Sequence, residues 1–168
     1  MRAKFEPIVE ECFGRDDDAI EDVDQRVARS FEDRLAIVWE GDAQTFRFSY
    51  VSAGASALLG YPTQRWIDEP AFWADVVIAA EDRDDAIAYC ALATAKRVDH
   101  TFEYRARCAD GAVRWLRDYV RVLVGPRGVA QFLRGIMFDV TDEKRAEQTV
   151  AGPSSLRVPS PDALAALP

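Results

Sequence analysis

Phe102-Glu103-Tyr104-Arg105-Ala106-Arg107-Cys108-Ala109-Asp110-Gly111-Ala112-Val113-Arg114-Trp115-Leu116 is the stretch that decides the fold. Over positions 98–109 the even residues His100, Phe102, Tyr104, Ala106 and Cys108 face one way, with Thr101, Glu103, Arg105 and Arg107 opposite. A period of two held this long predicts a half-buried antiparallel strand, one face on a core and the other in water. Asp110-Gly111 reads as a two-residue hairpin turn, because both residue types tolerate positive φ. The chain then returns as a strand over 113–124, turns at Gly125-Pro126-Arg127-Gly128 and runs out as another strand over 129–140.

Working outward, two more strands lie upstream. Leu35-Ala36-Ile37-Val38-Trp39 is an apolar run closed by the turn signal Gly41-Asp42. Residues 45–51 alternate, with Phe46, Phe48 and Tyr50 on one side, so the two runs form a hairpin. Between this pair and the later strands the pattern is helical and broken. Ser52 is placed to cap a short helix that ends at Leu59-Gly60, and further turns cover 63–67 and 70–77. A longer helix over 83–95 puts Ile87, Cys90, Ala91 and Thr94 on its apolar face. Thr141 starts a last helix whose first turn carries Asp142 and Glu143, where the helix dipole favours acids. The predicted class is α+β: one five-stranded antiparallel sheet with short helices on one face, preceded by N-terminal helices and followed by a short C-terminal helix.

Composition bounds what such a domain does. The chain has 168 residues, 49% of them hydrophobic, and a net charge of −8. That charge argues against nucleic acid and anionic membranes as partners, and no apolar run reaches the roughly 20 residues that span a bilayer. Three scattered cysteines (Cys12, Cys90, Cys108) fit reduced thiols in a cytoplasm, and a single histidine, His100, leaves little for a metal site. The charge is uneven: residues 1–33 hold 11 acids against 5 bases, a net of −6. These residues read as an amphipathic helical arm, with apolar stripes through Phe5, Ile8, Val9, Cys12 and Phe13 and through Ile20, Val23, Val27 and Phe31. Either the stripes pack back on the domain, or Phe5, Ile8, Val9, Phe13, Ile20 and Val27 form a homodimer interface. The domain proper is assigned to 34–149, and 150–168 reads as a Pro/Ser-rich linker or disordered tail.

The motifs taken together resemble a PAS domain, a sensory module of bacterial signalling proteins, over about Leu35 to Gln148. Glu103-Tyr104-Arg105 with Asp110-Gly111-Ala112-Val113-Arg114-Trp115 is similar to the family's "E-(Y/F)-R … D-G-x-x-R-W" strand pair. Gly135-Ile136-Met137-Phe138-Asp139-Val140-Thr141 resembles the end of its last strand with the Asp-x-Thr signature, and Asp142 to Glu147 the start of its signalling helix. Ser52 through Leu58-Leu59-Gly60-Tyr61 resembles "N-x-A-x-x-x-L-L-G-Y", with Ser52 where an asparagine is often found. The resemblance implies a regulatory, non-catalytic module coupling a small ligand or partner to an effector, a histidine kinase or similar, in the same or a separate chain. A ligand-free dimerisation domain of the same family is the alternative.

No cofactor is expected. The region matching the helix that carries the flavin-reactive cysteine, Phe72 to Val77, has none, and residues 83–95 hold no histidine for haem. Non-covalent flavin stays compatible with apolar walls alone. The expected ligand-binding set is Trp39, Tyr50, Trp73, Tyr89, Phe102, Tyr104, Tyr119 and Phe132, with Tyr89, Tyr104 and Tyr119 foremost, since a buried phenol needs a hydrogen-bond partner. Asp139 and Thr141, where the last strand hands over to the last helix, are the expected relay. An enzyme reading would lean on His100, Glu103 or Asp118, which are expected on solvated surfaces.

Overall fold

A computed structural model describes residues 5–151. The hairpins and alternation produce one five-stranded antiparallel sheet in the order β2-β1-β5-β4-β3. Its strands are β1 (Ala36–Asp42), β2 (Phe48–Val51), β3 (His100–Arg107), β4 (Val113–Val124) and β5 (Ala130–Asp139). On one face, called inner here, short helices α3 (Gly54–Leu59) and α4 (Thr63–Asp68) and the longer α5 (Ala80–Ala95) cover the sheet. Between α4 and α5 lies a π-helical turn, Trp73–Val77, closed by the amide of Ile78 donating to the carbonyl of Trp73 at 2.9 Å. The inner core gathers Ile37, Trp39, Phe102, Tyr104, Leu116, Val120, Leu133 and Met137 from the strands with Trp66, Phe72 and Ala86 from the helical side.

The hairpin from β3 to β4 is not the two-residue turn expected. Cys108 N–H donates to the carbonyl of Ala112 (2.8 Å), so the loop is Ala109-Asp110-Gly111, with Gly111 in the left-handed region at φ 88°. One extra loop residue moves the register by one, and side chains on the return strand exchange faces. Phe102 pairs with Asp118 instead of Tyr119. Leu116, Asp118 and Val120 therefore point inward, while Trp115, Arg117, Tyr119 and Arg121 point outward.

A second irregularity falls in the first hairpin. Glu40 pairs with Tyr50 but Gly41 with Phe48, a bulge that puts Phe48 inward and Tyr50 outward. Ser52 does not cap α3; its amide donates to the Val38 carbonyl (2.8 Å) and its hydroxyl accepts from the Val38 amide (2.9 Å), extending the β1 edge. The buried side of α5 is Asp82, Ala86, Tyr89, Cys90, Ala93 and Thr94, which leaves Ile87 at the surface.

The outer face is covered by the chain itself. Helices α1 (Pro7–Phe13) and α2 (Ile20–Ser30) lay Phe5, Val9, Phe13, Ile20, Val23 and Val27 against Val38, Tyr119, Ile136 and Phe138. Phe5, Val9, Phe13, Ile20 and Val27 are thus not a free dimer seam: burying each against the sheet is worth about 1.5–3 kcal/mol, which a second copy would have to replace. Ile8 alone of that set stays exposed, at 40%. Arg121, 3% exposed, fastens the arm by donating to the Gly14 carbonyl and the Glu10 carboxylate, its guanidinium 4.8 Å above the Phe13 ring. The last helix, α6 (Thr141–Ala151), begins directly after β5; the expected tail lies outside the described residues.

Candidate ligand cavity and output junction

Between the sheet and the helical side is a small cavity walled by Trp39 (β1), Phe48 (β2), Trp73 (the π-helical turn), Cys90 (α5), Phe102 (β3) and Asp118 (β4), with Leu133 and Met137 of β5 below. Its free space for a water-sized sphere is about 20 Å³, room for a water or a little more. The π-helical turn, one residue wider than an α turn, carries Trp73 into this wall. The indole Nε1–H of Trp73 donates to the Tyr104 hydroxyl at 3.0 Å, and that hydroxyl donates to Met137 Sδ at 3.5 Å. Trp39 lies flat across β5 because residue 135 is glycine: a Cβ there would stand 2.0 Å from Trp39 Nε1.

Asp118 is the polar centre. Its Oδ1 accepts from Trp39 Nε1 at 3.1 Å, its Oδ2 has no partner, and the residue is 1% exposed. Burial pushes its carboxyl up to about 8, only partly opposed by the Trp39 hydrogen bond. Burial also drives the Cys90 thiol up to about 12, with the nearby Asp118 charge adding to the effect, so a reactive thiolate is disfavoured.

Several expected site residues stand elsewhere. Tyr50 and Tyr119 are on the outer face, where the Tyr50 hydroxyl donates to Asp24 Oδ2 (2.6 Å) and the Tyr119 hydroxyl to Glu6 Oε1 (3.0 Å). Phe132 is also outward and 43% exposed. Neither Tyr89, which packs against Phe102 and His100, nor Tyr104, whose phenol already accepts from Trp73, lines the cavity. Trp39, Trp73 and Phe102 do line it. Phe48, Cys90 and Asp118 complete the wall, and Asp118 was hidden by the one-residue register shift. His100 and Asp118, expected at solvated surfaces, are buried. His100 is held neutral, burial lowering its imidazole to about 4. Glu103 is on the outer face as an ion-pair partner of Arg117 and Lys144.

At the junction of β5 and α6 the expected relay residues do meet. Asp139 Oδ1 accepts from the Thr141 amide (2.9 Å) and hydroxyl (2.5 Å), and its Oδ2 accepts from Arg114 (2.7 Å). Burial would raise the Asp139 carboxyl, but these donors outweigh it and hold it below the usual range. Thr141 Oγ1 accepts from the Trp115 amide at 2.9 Å, joining α6 to β4. Lys144, 3% exposed, reaches from α6 to Glu103, its ammonium 5.2 Å from the Trp115 ring, while Arg117 pairs with Glu103 (2.9 Å) and Glu143 (3.5 Å).

A family model described as the PAS fold matches residues 48–137. The chain belongs to this family. Among solved PAS structures, it is 35% identical to the N-terminal domain of a diguanylate cyclase with PAS/PAC sensor from Marinobacter aquaeolei (TM-score 0.60; 64% of this chain, 97% of that one). It is 25% identical to a sensory box histidine kinase/response regulator from Burkholderia thailandensis E264 (TM-score 0.61; 75% and 92%). The blue-light photoreceptor Aureochrome1 LOV domain, 20% identical with a TM-score of 0.57 over 74% of this chain and 95% of that one, shares the fold. None of the curated proteins matches. No helix among the described residues is long and apolar enough to cross a membrane.

Proposed function

We propose that this PAS domain is a sensory module in which a small ligand in the inner cavity sets the docking of the terminal helices, and through them the activity of an effector such as a histidine kinase or a cyclase. One observation carries the reading. Strand β4 alternates between cavity and helices: Leu116, Asp118 and Val120 face the inner core, while Trp115 and Arg117 hold α6 and Tyr119 and Arg121 hold α1. A ligand that shifts β4 therefore acts on both terminal helices at once, which is what a differential contact needs to move a two-state equilibrium. The sensor domains of the cyclase and kinase relatives favour such effectors. The small free volume favours, as a second reading, a packed PAS domain that recognises a partner without ligand.

Filling the cavity separates the two. Met137→Phe adds bulk beside Asp118, overpacking worth about 1–3 kcal/mol. The sensory reading expects amide hydrogen exchange in α6 to quicken severalfold while central β4 and β5 stay protected. Exchange in α6 that matches the unsubstituted protein, in a folded variant, would overturn it.

A further inference from the structure

Within the described residues, the buried acids of this chain meet cations, with one exception. Asp82 is paired with Arg105 and Asp99 lies near Arg121. Asp118 is as buried as any of these and no lysine, arginine or histidine among the described residues stands within ion-pair distance of it. Its Oδ2 is buried without a partner, and the residue is part of the cavity wall. The titratable groups turned toward it are the Cys90 thiol from α5 and the Tyr104 phenol from β3, neither of them a cation, with Trp39 Nε1 its one donor. The other acid on the lining, Asp42 at the rim, is bonded to the amides of Gln44 and Thr45.

The cavity that Asp118 lines is walled by four aromatic rings from four elements. Trp39 and Phe48 meet edge to face at 5.3 Å between centroids, and Trp73 and Phe102 at 6.3 Å, with interplanar angles of 69° and 87°. An aromatic box enclosing a lone carboxylate is the chemistry that captures an organic ammonium: the ring faces attract the cation and its N-methyl or N-methylene groups, and the acid neutralises its charge. The rim opens onto a wider apolar hollow of about 160 Å³ that shares Phe46, Phe48, Trp73 and Cys90 and adds Pro70 and Ile87. Phe46 stands at this opening with a left-handed backbone, φ 58°, and its ring partly exposed. A head group at Asp118 can thus carry a short apolar tail.

We propose that the cavity and the adjoining hollow together bind a small organic cation, an alkyl- or methylammonium group, with its charge set against Asp118 and its carbon atoms against Trp39, Phe48, Trp73 and Phe102. This rests on the ligand-binding reading above and gives that ligand its chemical class. Binding requires Asp118 in its ionised form, so the apparent affinity follows the ionised fraction of the empty site.

The test uses the whole chain, with calorimetry and tryptophan fluorescence. The probes are methylammonium and tetramethylammonium chloride at ionic strength fixed with sodium chloride, and tert-butanol as the uncharged match. The expected result is ammonium binding that tightens more than about tenfold from pH 6 to pH 8, is at least about tenfold stronger than that of tert-butanol, and disappears in Asp118→Asn. Ammonium binding that survives Asp118→Asn would remove Asp118 from the site and overturn the proposal. Preference for tert-butanol, weakening as pH rises, would assign a neutral acceptor ligand and overturn the cation while leaving the sensory reading standing. No binding of any probe would overturn the cation as well, and Met137→Phe then judges the sensory reading by itself. If Asp118→Asn does not fold, the pH profile and the tert-butanol comparison on the unsubstituted protein decide.

Discussion

Asp118 is a carboxyl group placed where its charge is disfavoured, and that has a thermodynamic signature. An aspartic acid in the unfolded chain loses its proton near pH 4, whereas in the fold Asp118 keeps it up to about 8. Between those limits the unfolded state releases a proton that the folded state retains, so stability falls as pH rises, by up to about 1.4 kcal/mol per unit. Asp118→Asn keeps the acceptor for Trp39 and removes the titration. Its stability relative to the unsubstituted protein should rise by about 2–4 kcal/mol between pH 5 and pH 8. Urea unfolding at the two pH values measures this, and parallel pH dependence would mean that Asp118 is already ionised in the fold. At the other side of the same wall, Gly135→Ala drives a methyl into the Trp39 indole, 2.0 Å from its Nε1. The ring must move, at about 1–3 kcal/mol, and near-ultraviolet circular dichroism should lose part of its tryptophan signal.

At the scale of elements, β5 and α6 are joined through a single carboxylate. Asp139→Ala takes away the acceptor for Thr141 and the partner of Arg114, leaving Thr141 Oγ1 without the bond that orients it toward Trp115. The loss is about 1–2 kcal/mol, local to α6. Hydrogen exchange should quicken from Thr141 onward with the melting of the sheet little changed; a global drop in melting temperature would show that the junction is part of the core. How far these elements could be read from sequence is decided by a few residues. The alternation of Phe102, Tyr104 and Ala106 announces β3 and its buried side without ambiguity, because a period of two has only two faces to choose between. The return strand was a different matter. Asp110-Gly111 suits a two-residue turn, and nothing local shows that Ala109 joins the loop, yet that one residue exchanges Tyr119 for Asp118 in the cavity. The bulge opposite Glu40 separates Phe48 from Tyr50 in the same way. Alternation fixes which residues share a face; loop length and bulges fix which face it is.

At the scale of the molecule, the acidic arm is the cover of the sheet. Its charge is matched to the outer face: Glu10 meets Arg121 there, and Asp24 and Glu6 accept from Tyr50 and Tyr119. Removing residues 1–33 would uncover Val38, Ile136 and Phe138 with both tyrosines, a contiguous apolar surface of the kind that drives association. The truncated protein should self-associate at lower concentration than the full chain in light scattering, and equal mass distributions would show that the sheet tolerates exposure. Arg121→Ala removes the Glu10 and Gly14 bonds together with the cation beside Asp99, and α1 should become the first site of proteolysis.

The alternation of β4 has an engineering consequence. The same strand presents one face to the cavity and its other face to the first and last helices, so under the proposed sensory reading a reporter enzyme fused at either end would read the same input. By the same token, a substitution that retunes what the cavity accepts also resets the resting output, and a biosensor built on this scaffold would need its baseline and its selectivity adjusted together.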